Sequence, residues 1–376
     1  MKLIFVLFPF CLPLPLPLLL KSVFLGLFLT GSILFFGDLR IRKSKSKRAE
    51  IMVIVAFIGF FIVETLMAFL RDNEIYLHEV RLSFIILPIV YWIANRAFTA
   101  QSKLIFGSFV IGVYAYIVYA GVFIVYFYGF YSENSVFGLD YYLKYVLYHF
   151  MPGAIHHTYM GMFMCFAVLI LLFDPGIKFV VRLWMIIPIL FSMPFLGSKL
   201  SLVVVGLTLF YWLIKQRGPK KLKWAVMLSL ILLNSGLFLF TDLFRTLSVS
   251  IGKRVSYYEC LVYHYKDNVS LGIGTKRIKE FMENCPLMGE KMDTHNLFLQ
   301  ELLTTGVLGI VALLFLFVVL YRNARNNEMF MLFLTIFLIF GMVEHLFNIQ
   351  LGVTFFVFFC CVMLDITPKE KPPSRV

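Results

Sequence analysis

Long apolar runs separated by short polar connections dominate the chain. They lie near 3–20, 22–37, 51–70, 83–95, 104–130, 156–173, 179–196, 200–214, 224–241, 297–320, 329–346 and 350–365. A helix needs about 20 mostly apolar residues to cross the hydrocarbon core of a bilayer. The pattern predicts an all-α, polytopic integral membrane bundle of about 12 transmembrane helices, forming a single membrane domain over 1–376. Strict alternation of apolar and polar positions, which a barrel would need, is absent, and backbone groups in lipid must be satisfied inside helices. Two segments interrupt the pattern. Pro13, Pro15 and Pro17 each remove a backbone donor, so this stretch is either an extended outer turn between two short spans or a break inside one. Lys2 precedes the first apolar run as in a signal peptide, but no small-residue cleavage site follows, and the segment is expected to be retained. Residues 242–296 carry no spanning run and form one long loop between the ninth and tenth spans; loops of that length are usually functional.

Composition narrows the class. The chain is 61% hydrophobic and 15% charged, with a mean hydropathy of +0.88, whereas a soluble domain is roughly 45–50% apolar and about 25% charged. That excess excludes a cytosolic enzyme and a nucleic-acid-binding domain. Six scattered cysteines do not make a secreted disulfide scaffold. The net charge of +13 is topological instead. With the first residue inside, 21 of the 34 basic residues fall on inner connections, including the clusters Arg40–Arg48 and Lys215–Lys223. Eight more fall in 242–296, and long translocated loops are exempt from the positive-inside rule.

Candidate chemistry gathers on the other face. On this topology all seven histidines lie in outer connections or at outer ends of spans, and histidine suits proton transfer near neutral pH. No ATP or nucleotide-sugar is expected on that face, so an enzyme there must use a donor already activated on the membrane. Within the long loop, 251–266 reads as a helix with Val255, Tyr258, Leu261, Val262 and Tyr265 on its apolar side and Arg254 in its first turn. Gly272-Ile273-Gly274 reads as a tight turn, followed by Lys276, Arg277 and Lys279 on a second short helix. The spacing lacks the lysine of a nucleotide-binding loop. Asp293-Thr294-His295-Asn296 supplies helix-capping types before the tenth span. His295 then meets the positive end of a helix dipole, which favours the neutral ring a general base needs. Cys260 and Cys285 either pair or remain free thiols; Cys11, Cys165, Cys360 and Cys361 fall within spans. No His/Cys cluster has zinc spacing and no Asp-X-Asp stands on the outer face, so the site is expected to hold no metal or other cofactor. Glu64, an acidic residue inside a span, is either functional or paired with Arg71 one to two turns on.

Thr294-His295-Asn296-Leu297-Phe298-Leu299-Gln300, followed by Gly306-Val307-Leu308-Gly309, resembles the signature of the O-antigen ligase superfamily, which includes polysaccharide polymerases. The Arg254-Val255-Ser256-Tyr257-Tyr258-Glu259 stretch and Gly272-Ile273-Gly274 match the Arg-led helix and Gly-X-Gly turn usual upstream of it. The layout, about 12 spans with a long periplasmic loop between the ninth and tenth, is also similar. The resemblance implies transfer of a glycan from undecaprenyl diphosphate to an acceptor sugar hydroxyl. The acceptor would be lipid A–core in a ligase, or another lipid-linked repeat in a polymerase. It implies a bacterial inner-membrane enzyme with its active site facing the periplasm, membrane lipids around it and no nucleic-acid partner. A loop arginine and histidine needed for activity in the family map onto Arg254 and His295. A further family arginine follows a serine before the inner basic loop; here Ser198-Lys199 stands there, keeping the charge but losing the planar two-point grip on phosphate. Arg254 and Lys199 are therefore expected on the diphosphate, with Arg277 a further candidate and His295 as base; Asn296 adjoins it. His156-His157-Thr158-Tyr159 resembles a His-x-Thr-Tyr pattern in some members. A transporter or lipid-linked-glycan flippase would also have about 12 spans, but such proteins hold substrate near mid-membrane, often between internal repeats, and no repeat is evident here.

Overall fold

The predicted spans that fall within the described residues are helical over most of their length. The computed structural model describes residues 2–37, 46–72, 79–131, 151–195, 199–215, 258–261, 263, 265, 270–274, 277–278 and 294–364. The helices are α1 (Lys2–Cys11), α2 (Leu18–Phe36), α3 (Ser46–Asp72), α4 (Ser83–Ala100), α5 (Ser102–Tyr131) and α6 (His157–Phe173). They continue as α7 (Phe179–Phe195), α8 (Lys199–Lys215), α9 (Leu297–Ala324), α10 (Glu328–Gly341) and α11 (Gln350–Leu364), and a 3-10 turn, Glu79–Arg81, leads into α4. By length and composition α2, α4, α9 and the stretches Glu50–Arg71 of α3 and Ser102–Tyr126 of α5 can cross a membrane; the other apolar helices are 10–17 residues long. The predicted ninth span, 224–241, and most of the 242–296 loop lie outside the described residues.

Two helices form the centre. On α6 every residue from Thr158 to Leu172 is buried, and on α11 every residue from Leu351 to Met363. A helix that is apolar on all sides must be surrounded. Around α6 stand α5, α7, α8 and α10; around α11 stand α4, α9 and α10. Phenylalanines weld the two together: Phe166 lies 4.6 Å from Phe359 and 5.5 Å from Phe355, centroid to centroid, near the spacing edge-to-face rings prefer. The outer surface is just as apolar. Leu19, Leu34, Val125, Trp184 and Phe191 are each more than two-thirds exposed. Contiguous apolar surface of this kind belongs in lipid, and the chain is a helical, multi-pass membrane protein.

Of the two readings of the proline-bearing stretch, the structure has the connection between two helices: α1 stops at Cys11 and α2 begins after its cap, Pro17. Boundaries differ from expectation in two places. The fourth span runs on to Ala100, five residues past its apolar stretch. The eleventh stops at Gly341 rather than 346, and residues 342–349 form a tight connection, with Val343 N and Glu344 N both donating to Phe340 O. This last difference frees Glu344 and His345 from the helix and presents them at one end of the bundle.

The two ends of the bundle carry different chemistry. At one, Lys215 closes α8 and pairs with Glu328 at the start of α10, 2.6 Å away. At the other, the starts of α4, α6, α9 and α11 meet the end of α10. The four described histidines, His156, His157, His295 and His345, all lie there.

Candidate active site

The start of α9 is held from several directions. Asn296 caps the helix, its Oδ1 accepting from Leu299 N at 2.9 Å. Its amide Nδ2 donates to Met342 O at 3.1 Å, tying the first turn of α9 to the connection after α10. Buried Thr294 donates to Gln300 Oε1 at 2.8 Å. Between these anchors His295 takes φ 48°, the one positive φ of a non-glycine residue among the described residues. Left-handed backbone is uncommon for such a residue, tends to occur at functional sites, and persists where neighbours over-determine it.

This conformation aims the imidazole at Glu344. His295 Nδ1 lies 3.3 Å from Glu344 Oε1, and His156 Nδ1 lies 3.8 Å from Oε2. Thr158 donates to Oε2 at 3.4 Å. Burial pushes the Glu344 carboxyl up, but the hydrogen bond from His295 and the charges of His295, His156 and His157 outweigh it and hold it below the usual glutamate range. Burial pushes the His156 imidazole down, Glu344 opposes that, and His295 adds to the fall. An ionised Glu344 makes Nδ1 of His295 the donor and leaves the Nε2 lone pair to accept a proton. The rings of His156 and His157 stand 4.1 Å apart, and Tyr159 donates to His345 O at 3.0 Å. The result is a half-open cluster of imidazoles around one carboxylate.

A second layer of charge lies beneath. Arg81 pairs with Glu64 of α3 and donates to Glu301 Oε1 of α9 at 3.1 Å; His345 Nε2 is 3.7 Å from the same oxygen. Glu64 thus has a structural ion pair, but its partner is Arg81 and not Arg71. Arg71 reaches across to Leu271 O at 3.4 Å instead. The helical turn at the start of α4 brings Arg81 inward, whereas Arg71 sits at the end of α3 beside the loop.

The loop's Gly-X-Gly does a job that spacing did not reveal. Helix α9 breaks at Gly306, where φ is 68° and ψ is −159°. The carbonyls released by the break are taken up by the loop: Ile273 N donates to Leu303 O at 2.8 Å and Gly274 N to Thr304 O at 3.1 Å. Gly272 and Gly306 touch backbone to backbone; a Cβ on Gly306 would meet Ser270 O at 2.5 Å and Gly272 N at 2.7 Å. Tyr258, Leu261 and Tyr265, three of the predicted apolar positions, pack with Ile273, Ile278 and Leu303, and Tyr258 donates to Thr294 O at 3.3 Å. The loop is thereby fastened next to His295. Gly306→Ala is expected to cost about 1–3 kcal/mol from the positive φ alone, with further loss as the loop is pushed off. Thermal unfolding in detergent reads it as a lowered Tm; an unchanged Tm would refute the docking role.

Of the expected site residues, His295, Asn296, His156, His157 and Tyr159 come together around residues 342–349, and Glu64 lies in the layer below. Arg254 lies outside the described residues. So does the side chain of Lys199, whose backbone opens α8. Arg277 is exposed, and among the described residues no contact joins it to the cluster. Cys260 is disulfide-bonded, while Cys285 lies outside the described residues; Cys11, Cys165, Cys360 and Cys361 are buried. Glu344, Arg81 and Glu301 carried no expectation. Glu344 sits at the end of a run read as membrane span, next to His345, and an acidic residue beside a histidine at a span's outer end was the available signal.

Comparison with known proteins bears on the same region. No curated protein sequence matches the chain. Residues 184–314 match a family model described as O-antigen ligase. The matched stretch takes in Lys199, Arg254, Arg277, His295, the Gly-X-Gly loop and the break at Gly306, and leaves Glu344 and the α6 histidines outside. Over that stretch the chain is similar to the O-antigen ligase family.

Proposed function

We propose that this protein is a ligase-type glycan transferase. It moves an O-antigen-like glycan from undecaprenyl diphosphate to a sugar hydroxyl of lipid A–core, at the periplasmic face of the bacterial inner membrane. The observation that carries the reading is the His295–Glu344 pair: His295 stands at the capped start of α9, inside the stretch similar to the family, and Glu344 reaches it from the connection after α10. His295 Nε2 takes the acceptor hydroxyl proton as its oxygen attacks the anomeric carbon. Glu344 orients the ring through Nδ1 and stabilises the imidazolium that forms. The bond from the anomeric carbon to the diphosphate oxygen breaks, and undecaprenyl diphosphate departs with the electron pair. Arg254 and Lys199 hold that developing charge, each charge-assisted hydrogen bond contributing about 1.5–3 kcal/mol, with Arg277 a further cation on the loop. Asn296 and Tyr159 fix the backbone around the base. The cysteine bridge at Cys260 suits an oxidising compartment, in agreement with a periplasmic loop.

The direct test is a reconstituted reaction of purified full-length protein, lipid-linked glycan and lipid A–core, with neither nucleotide nor divalent cation and with a chelator present. Formation of glycan-bearing lipid A–core is expected. No product with the core acceptor, but chain growth on a lipid-linked repeat, would make the protein a polymerase of the same superfamily.

Glu344 can be tested separately. The Glu344→Gln protein is expected to lose roughly 10–100-fold in kcat, because the ring loses the carboxylate that orients it. Stability carries a second signature. The folded chain holds the Glu344 carboxyl below its ordinary range, so its contribution is complete above that range and disappears as pH falls through the lower folded value. The wild type should therefore melt above Glu344→Gln at pH 7, and the gap should close on acidification. A gap that widens toward acid would contradict the assignment.

A further inference from the structure

Beneath the His295–Glu344 pair, four ionisable side chains from four elements meet in an apolar surround. Glu64 comes from α3, Arg81 from the turn before α4, Glu301 from α9 and His345 from the connection after α10. All four are buried. Arg81 bridges the two carboxylates, pairing with Glu64 and donating to Glu301 Oε1 at 3.1 Å, while His345 Nε2 lies 3.7 Å from that oxygen. The rings beside them form a tight aromatic group, with Phe84 5.2 Å from Phe60 and 5.0 Å from Phe347. The remaining oxygens, Glu64 Oε1 and Glu301 Oε2, are buried without a hydrogen-bond partner among the described residues. Two carboxylates desolvated in this way are costly unless a cation offsets them.

Stability alone gives little reason for such a cluster, since buried ion pairs are often matched or bettered by well-packed apolar side chains. Its connections suggest another role. Glu301 lies on the first turns of α9, the helix whose start carries His295. His345 is the neighbour of Glu344. Ser83, two residues after Arg81, shares a hydrogen bond of 3.0 Å with Thr354 of α11. Arg81 thus ties α9, the helix whose start carries the base, to α3, while His345, the neighbour of Glu344, approaches the same Glu301 oxygen. Hydrophobic packing would hold these elements together without selecting one register, whereas directional charged bonds select it.

We infer that Arg81 is a positioning residue, which through Glu301 and Glu64 sets the alignment of His295 with Glu344. This rests on the reading of His295 as the base. The test measures kcat and KM of full-length variants in the reconstituted reaction. The triple variant Glu64→Leu/Arg81→Met/Glu301→Leu removes the cluster without stranding a charge, and is expected to insert and melt like the wild type. Its KM for donor and acceptor should be unchanged and its kcat lower by about 10–100-fold, the scale of a misplacement near 1 Å. Arg81→Lys, which keeps the charge but not the two-sided bridge, should show a smaller fall in kcat, again at constant KM. Wild-type kcat in the triple variant overturns the inference, as does a loss explained wholly by KM. Should the triple variant fail to insert, Arg81→Lys decides by the same criteria. His295→Ala in the same assay keeps the two ideas apart: full activity there removes the base, whereas kcat of the Arg81 variants reports on alignment.

Discussion

The His295→Ala protein is expected to insert and fold as the wild type does while kcat falls by about 10²–10⁴-fold, the usual contribution of a positioned general base. The fold should tolerate the change because the cap of α9 is Asn296, whose bonds to Leu299 N and Met342 O do not involve the imidazole. Alanine accepts φ 48° no better than histidine does, so the backbone strain is common to both proteins. What disappears is the contact with Glu344 and the Nε2 lone pair. His295→Gln separates these, since an amide can reach Glu344 but cannot take up a proton. It should be as inactive as alanine. Kinetics in proteoliposomes, with a Tm for each variant, make the measurement; wild-type kcat in either would remove His295 from the chemistry.

The second large effect is expected at Arg254. Removing one donor that meets charge developing in a transition state costs about 10²–10³-fold in kcat, and Arg254→Ala should fall in that range. Arg254→Lys should recover only part of it, because an ammonium offers a point charge where the guanidinium offers a planar fork. The reciprocal change is informative. The resemblance of Ser198-Lys199 to a serine–arginine pair implies that arginine suits this position, so Lys199→Arg should keep full activity or exceed it. The readout is kcat with a defined lipid-linked donor, accompanied by blots for membrane insertion. Normal levels of glycan-bearing lipopolysaccharide in a null strain complemented with Arg254→Ala would end this assignment.

Much of the architecture was legible because lipid imposes a simple rule on the sequence. A backbone crossing hydrocarbon must be helical, and its side chains must be mostly apolar over about 20 residues. Spans such as 104–130 and 156–173 therefore matched their helices within a few residues. The same rule hides helix ends. Phe340 and Leu346 are equally apolar, so nothing in hydropathy told where α10 stops or that a turn presents Glu344 to His295. The proline run was legible as an interruption, but its place between helices followed only from packing. Within the site, His295, Asn296 and the α6 histidines were visible as residue types at span ends. The carboxylate that gathers them was not.

For this protein the order of residues determined what depends on neighbours along the chain. That covers the helical class, the cap at Asn296 and the motif that matches the family. Tertiary structure decided what depends on partners far apart in sequence. It joined His295 to Glu344 across 49 positions and Arg81 to Glu301 across 220. It also turned two distant glycines, Gly272 and Gly306, into one contact. The physical reason is that hydropathy and capping are local properties of a segment. A charge pair in an apolar interior is chosen instead by which helix faces pack together, and a solvent-like pattern along one helix carries no record of its neighbour.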